Sequence, residues 1–199
     1  MSYQYPQHFK YPDTERIFFS DHIELWESVL GSLKNKPNTT LEIGALYGGS
    51  SVYMLEEFCK MEGSTHHIMD INTNSYIENN TYPYGDKVKY LLGESSDSFK
   101  KLVGKDIFDL IYIDGNHMSK YVLEDAVNSF YVLKDGGFII FDDFGGGWEQ
   151  EPHMQVKTAV ESFVHSYGKY IDVIHQGYQF IVRKKEYINK EELKENYYK

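Results

Sequence analysis

Apolar positions along the chain alternate between two rhythms. Thr39 to Ile43, His67 to Ile71, Lys87 to Leu92, Phe108 to Ile113 and Phe138 to Phe141 are short, β-branched or aromatic runs that read as strands. Helical spacing fills the intervals. Ser20-Asp21 is a candidate cap for a helix carrying Ile23, Trp26, Leu30 and Leu33, which Asn35 to Asn38 would end. Ser50 would cap a second helix with Val52, Leu55, Phe58 and Cys59 on its apolar face. Ser95 to Leu102, Ser119 to Leu133 and His153 to Tyr167 supply three more, and residues 72–86 read as a loop or a short irregular helix. Asp172 to His175 and Tyr178 to Arg183 flank Gln176-Gly177 as a hairpin.

Strand alternating with helix predicts an α/β fold, a Rossmann-like and mostly parallel sheet with helices on both faces. The closing hairpin would add an antiparallel strand at one edge. Residues 20–183 form the expected single domain. Residues 1–19 are an aromatic arm (Tyr3, Tyr5, Phe9, Tyr11) that would pack on its own body or on a second subunit, which makes a homodimer plausible. Residues 184–199 are a charged tail.

Charge narrows the partners. With 20 basic and 30 acidic residues the net charge is −10, and Arg183-Lys184-Lys185 is the only basic cluster. Nucleic acid and anionic membrane surfaces are therefore not expected. The longest apolar runs, four residues each, fall far short of the ~20 that a membrane span needs. A lone cysteine, Cys59, and a first 20 residues without an apolar signal core suit a reducing, cytoplasmic setting.

In doubly wound sheets ligands bind beyond the carboxyl ends of the strands, so chemistry is sought there. The first strand runs into Glu42-Ile43-Gly44-Ala45-Leu46-Tyr47-Gly48-Gly49-Ser50. A dinucleotide loop needs glycine where Leu46 stands, so backbone cannot approach a pyrophosphate in that way. An acid beside the loop instead suits a ligand with an ammonium group. Asp70 ends the second strand, where a carboxylate can accept from a ribose diol. Glu94 and Ser95 follow the third, and Ser95 either meets an adenine edge or caps a helix.

Asp114 follows the fourth strand and Asp142-Asp143 the fifth. Neighbouring strands lie ~4.8 Å apart, so three carboxylates can converge. Like charges that close resist joint ionisation unless a cation is present, and oxygen ligands suit Mg²⁺, Mn²⁺ or Ca²⁺. The alternative is that Asp114 serves the cofactor and the other two cap a loop. His117 is either a general base at the same mouth or a helix cap. Gly145-Gly146-Gly147 before Trp148 reads as a lid hinge or a plain surface loop.

Taken together, the glycine loop, Asp70, the stretch Phe108 to His117 and the stretch Leu133 to Asp143 resemble the class I S-adenosylmethionine-dependent methyltransferases, in particular the methyltransferase-24 group, over residues 38–183. The resemblance implies a seven-stranded sheet with S-adenosylmethionine over the first strands. Glu42 and Gly44 would face its methionine part, Asp70 its ribose, Glu94 and Ser95 its adenine side, Asp114 would flank the methyl donor, and Ala45, Gly48 and Ser50 would also bind the cofactor. Asp114, Asp142 and Asp143 resemble the triad that holds Mg²⁺ in macrocin-, cephalosporin- and catechol-type relatives. The catechol type usually ends that triad with Asn, so Asp143 favours a sugar or other vicinal-hydroxyl acceptor. The expected reaction is Mg²⁺-assisted O-methylation with His117 as base. Rival expectations are a metal-independent N-methyltransferase, a catalytically silent donor-binding subunit and, disfavoured by Leu46, a nicotinamide oxidoreductase.

Overall fold

The computed structural model describes residues 3–12, 16–102, 106–147 and 151–186. Its centre is a seven-stranded sheet built from β1 (Thr39–Ile43), β2 (Thr65–Asp70), β3 (Val88–Leu92), β4 (Phe108–Ile113), β5 (Leu133–Phe141), β6 (Ile171–Gln176) and β7 (Phe180–Lys184). The order is β3-β2-β1-β4-β5-β7-β6, with β7 antiparallel to both neighbours. The antiparallel strand is thus inside the sheet and β6 takes the edge. Composition explains the exchange: Phe180, Ile181 and Val182 are all buried, whereas Val173 and Ile174 of β6 stay exposed. A run that is apolar on both faces gains more from an interior position.

Alternate residues of the central strands feed two cores. On one face Ile111, Ile113, Ile139 and Phe141 join residues of α5 (Ser119–Val132) and α6 (Val156–Tyr167). On the other, Leu110, Tyr112, Phe138 and Ile140 meet Trp26 of α1 (Ile23–Val29) and Tyr53 and Met54 of α2 (Gly49–Glu57).

Several helix ends differ from expectation. Phe18–His22 forms a 3-10 turn with no side-chain cap, α1 follows it directly, and a separate 3-10 turn at Gly31–Leu33 replaces the expected last helical turn. Leu30 and Leu33 are nonetheless buried, so the apolar spacing survives the break. Residues 72–86 hold a true helix, α3 (Ser75–Thr81), because the Asn74 side chain accepts from the Tyr76 and Ile77 amides. A short α4 (Ser95–Lys100) follows β3. His153 lies in a 3-10 turn ahead of α6. Lys184, expected in the solvated tail, is buried, with Nζ donating to the carbonyls of Phe130 and Leu133. Tail residues 187–199 lie outside the described residues.

The described part of the arm packs on its own body, with Tyr3 edge-on to Tyr53 of α2. Among the described residues no helix is long and apolar enough to cross a membrane.

Candidate active site

The hydrogen-bond ladder runs past the strand ends and lines up the residues after them. Gly44 N donates to Met69 O, Asp114 N to Ile43 O, Asp142 N to Ile113 O and Gly93 N to Asp70 O, all within 2.8–3.0 Å. Gly44 has φ +83°, and a Cβ there would lie 2.2 Å from the Asp114 carbonyl oxygen. Only glycine lets the loop after β1 lie so close to the end of β4.

The loop of residues 44–49 is held from one segment. Asp70 accepts from the Ala45 amide at 3.0 Å and from the Asn72 amide at 3.2 Å. Asn74 Nδ2 donates to Leu46 O at 2.6 Å, and Asn80 Nδ2 donates to Tyr47 O at 2.9 Å. Leu46 has φ +46°, the left-handed conformation that glycine would take at this point. The loop therefore keeps a glycine-like path at Leu46. Gly48, at φ +84°, is the N-cap of α2 in place of the expected Ser50.

Glu42, near the end of β1, is turned inward. It has no solvent-facing surface, and Ser50 and Ser51 of α2 both donate to its carboxylate. His66 Nε2 lies 3.4 Å away, and the same imidazole shares a 2.8 Å bond with Thr40 through Nδ1. Glu42 and Ser50 thus bond to each other and anchor α2 beneath the loop. Ser95 is likewise engaged: its hydroxyl donates to Asp125 Oδ1 at 2.6 Å. Asp125 is buried, which pushes its carboxyl up to about 6. Glu94, just before α4, is exposed.

Asp114, His117, Asp142 and Asp143 line one small cleft with Asn116 and Val156. Ligand atoms of Asp114, His117 and Asp143 lie within 4.8 Å of one another, and His117 Nε2 is 3.1 Å from Asp143 Oδ2. All three carboxylates of the expected triad line this cleft, with Asp142 Oδ1 accepting from Gln179 Nε2 at 2.9 Å and His117 standing beside Asp114 and Asp143. Asp143 has φ +53°, a left-handed turn that brings consecutive carboxylates to the same cleft. Burial, then the charge of Asp142, raises the Asp114 carboxyl well above the usual carboxylate range. Among the described residues no lysine or arginine pairs with these three carboxylates.

Four neighbours escaped sequence reasoning. The Tyr112 hydroxyl donates to Asp114 Oδ2 at 3.0 Å, and burial raises its pKa well above the usual phenol range. Its signal was a polar tip inside an apolar strand, two positions before an acid on the same face. Gln179 is the polar interruption of an otherwise apolar run. Tyr178 donates to Asp143 Oδ1, and His22 stacks on its ring at 5.6 Å while lying 3.7 Å from Asp142. Exposed apolar side chains, Ile71 and Met118, stand just past the ends of β2 and β4. In the glycine run, Gly145 N donates to Tyr178 O and Gly146 N to Asp143 O, and a Cβ on Gly145 would lie 2.8 Å from Tyr178 Cα, so Gly145 serves close packing. Trp148 lies outside the described residues.

A sequence profile described as a methyltransferase domain, that of the methyltransferase-24 family, matches residues 41–144, just over half of the chain. The chain belongs to the methyltransferase-24 family. No curated protein matches it. Among solved structures, this methyltransferase-24 chain is similar in fold to MycE methyltransferase from the mycinamycin biosynthetic pathway, in complex with Mg and SAH (16% identity, TM-score 0.64, 88% of this chain and 51% of that one). It thus spans about half of MycE's length. It is also similar to SAH-bound PaMTH1 of Podospora anserina (21%, 0.59, 89% and 83%) and to the Bacillus cereus O-methyltransferase in complex with SAH (17%, 0.60, 91% and 84%).

Proposed function

We propose that this methyltransferase-24 protein transfers a methyl group from S-adenosylmethionine to a hydroxyl of a small molecule or sugar, assisted by a divalent cation of the Mg²⁺ type. The observation that carries the reading is the carboxylate cleft lying against the glycine loop, joined through the Gly44–Asp114 contact. MycE, PaMTH1 and the Bacillus cereus enzyme are each in complex with SAH, and MycE with Mg as well, which supports both groups.

Donor-side chemistry suits the loop. Asp70 offers carboxylate oxygens for a ribose diol, and Ile71 and Met118 offer apolar faces for a flat base. When bound, the donor supplies an electrophilic methyl carbon on a sulfonium.

The acid cleft fits a cation. Three carboxylates share it with no basic partner among the described residues, and Asp114 is already pushed toward its neutral form. Asp114 and Asp143, with Asp142 as the third carboxylate, would hold the ion, which supplies Lewis acidity and charge neutralisation. His117 takes the acceptor's proton. With Nε2–H donated to Asp143, its Nδ1 carries the lone pair that receives it. The acceptor oxygen then bonds the methyl carbon, the C–S bond breaks, and its electron pair stays on sulfur.

The test is calorimetry with SAH, followed by labelled-methyl transfer to vicinal-hydroxyl sugars and catechols with Mg²⁺ or EDTA. Transfer that EDTA abolishes and that Asp143→Ala and His117→Ala each lower at least ~100-fold is expected. EDTA-resistant transfer to amines overturns the oxygen and metal assignments. SAH binding with no transfer to any acceptor marks a silent subunit.

A further inference from the structure

We infer that the arm, residues 3–12, completes the donor site: Asn80 latches it to the glycine loop, and its docking sets the affinity for the methyl donor. This rests on the donor reading above.

Asn80 is fully buried, and its amide is spent on two separate backbones. Oδ1 accepts from Lys10 N at 2.7 Å, while Nδ2 donates to Lys10 O at 2.7 Å and to Tyr47 O at 2.9 Å. One side chain therefore fixes the arm and the donor loop together. A buried amide with every group satisfied is costly to disturb, because losing either backbone strands a polar group away from water.

The arm touches the loop at two more places. The Tyr11 ring stands edge-on to Tyr47 at 5.1 Å, and Tyr47 in turn meets Tyr76 of α3 at 5.4 Å. A Cβ placed on Gly49 would lie 3.4 Å from the Tyr5 hydroxyl, so the arm also lies against the first residue of α2. The loop between these contacts is not a relaxed turn. It carries positive φ at Gly44, Leu46 and Gly48, and Leu46 has no glycine's freedom. Its path depends on outside partners, and Asn80 shares one of them with the arm.

If the arm merely covered an aromatic surface, loosening it would lower stability and leave donor affinity alone. If it holds the loop in its binding shape, coupling must run both ways: docking strengthens donor binding, and the donor strengthens docking by the same factor.

The experiment measures SAH affinity calorimetrically on the full chain and on Lys10→Pro, which removes the amide that Asn80 Oδ1 accepts, and Tyr11→Ala, which removes the ring on Tyr47. Each is expected to weaken SAH ~5-fold, the worth of one hydrogen bond or ring contact. Asn80→Asp, which sets an oxygen against the Lys10 and Tyr47 carbonyls, is expected to weaken it more than ~10-fold. In the unaltered protein SAH should slow amide exchange at Lys10 by a similar factor. Affinities of Lys10→Pro and Tyr11→Ala within twofold of the parent, or Lys10 exchange indifferent to SAH, overturn the inference. A parent protein that binds no SAH overturns the donor reading, and the arm's role falls with it.

Discussion

Gln179 holds Asp142 through a 2.9 Å hydrogen bond whose direction is set 26 positions into the chain, by Trp26. The indole N–H can only donate, and it donates to Gln179 Oε1 at 2.7 Å in a fully buried setting. That leaves Gln179 with Nε2 facing Asp142, so the carboxylate meets a donor. The contact explains why Asp142 stands apart from the Asp114–His117–Asp143 group although it is next in sequence to Asp143.

Replacing Gln179 with Leu strands the Trp26 N–H and frees Asp142. The expected loss is about 2–3 kcal/mol, seen as a fall of roughly 5–10 °C in melting temperature. Mn²⁺ affinity, read by electron paramagnetic resonance, should change as well, since Asp142 loses its fixed orientation. A melting temperature within a degree of the parent would show that the bond contributes nothing.

Gly44→Ala tests the junction between loop and cleft. The new methyl would meet the Asp114 carbonyl at 2.2 Å on a backbone with φ +83°. Both faults act together, so a loss above about 2 kcal/mol in urea denaturation is expected, with SAH binding impaired in whatever remains folded. An alanine variant as stable as the parent would mean that β1 and β4 do not approach this closely.

Leu46 makes the opposite case. Its side chain is mostly exposed, and its φ of +46° costs an ordinary residue about 1–2 kcal/mol. Leu46→Gly removes that strain and adds unfolded-state freedom worth about 0.4–1 kcal/mol. Thermal denaturation should therefore find the glycine variant equal to the parent or up to about 1 kcal/mol more stable. Leu46→Val, β-branched at positive φ, should be less stable. A glycine variant well below the parent would show that the Leu46 side chain matters more than its backbone.

These residues also show how far sequence carries a reading. Phe108 to Ile113 and Phe138 to Phe141 were legible because a run apolar on both faces has few homes other than a central strand. The placement of Asp70, Asp114, Asp142 and Asp143 followed from topology, since successive parallel strands end on one edge. Directions of side chains did not follow. Glu42 shares a strand face with Thr40, and the register Glu42↔Tyr112 puts it on the side that α2 covers. That parity was readable, but the two serines that consume its carboxylate come from a helix whose start was assigned to Ser50 when Gly48 holds it. Asn74 and Asn80 read as loop composition, because their partners Leu46, Tyr47 and Lys10 lie 28 to 70 positions away. Long-range amide bonds leave no local periodicity to detect.

Asp125 yields a dependence on pH with a definite sign. Burial raises its carboxyl from the ordinary 3.8 to about 6, against the pull of the Ser95 hydrogen bond. Below about pH 4 the group is largely protonated in folded and unfolded chains alike and does not distinguish them. As pH rises, the unfolded chain ionises first while the folded one keeps its proton, so stability falls. Above about pH 6 both are ionised and the loss levels off, at an order of 2–3 kcal/mol. Asp125→Asn keeps an acceptor for Ser95 and never ionises. The stability difference between this variant and the parent, from urea denaturation at pH 4, 5, 6 and 7, should therefore open in the variant's favour across that range. It should close to its smallest value at pH 4. A difference that stays constant over all four pH values would mean that Asp125 ionises in the folded protein as it does in the unfolded chain, and that its burial beside Ser95 is relieved by water.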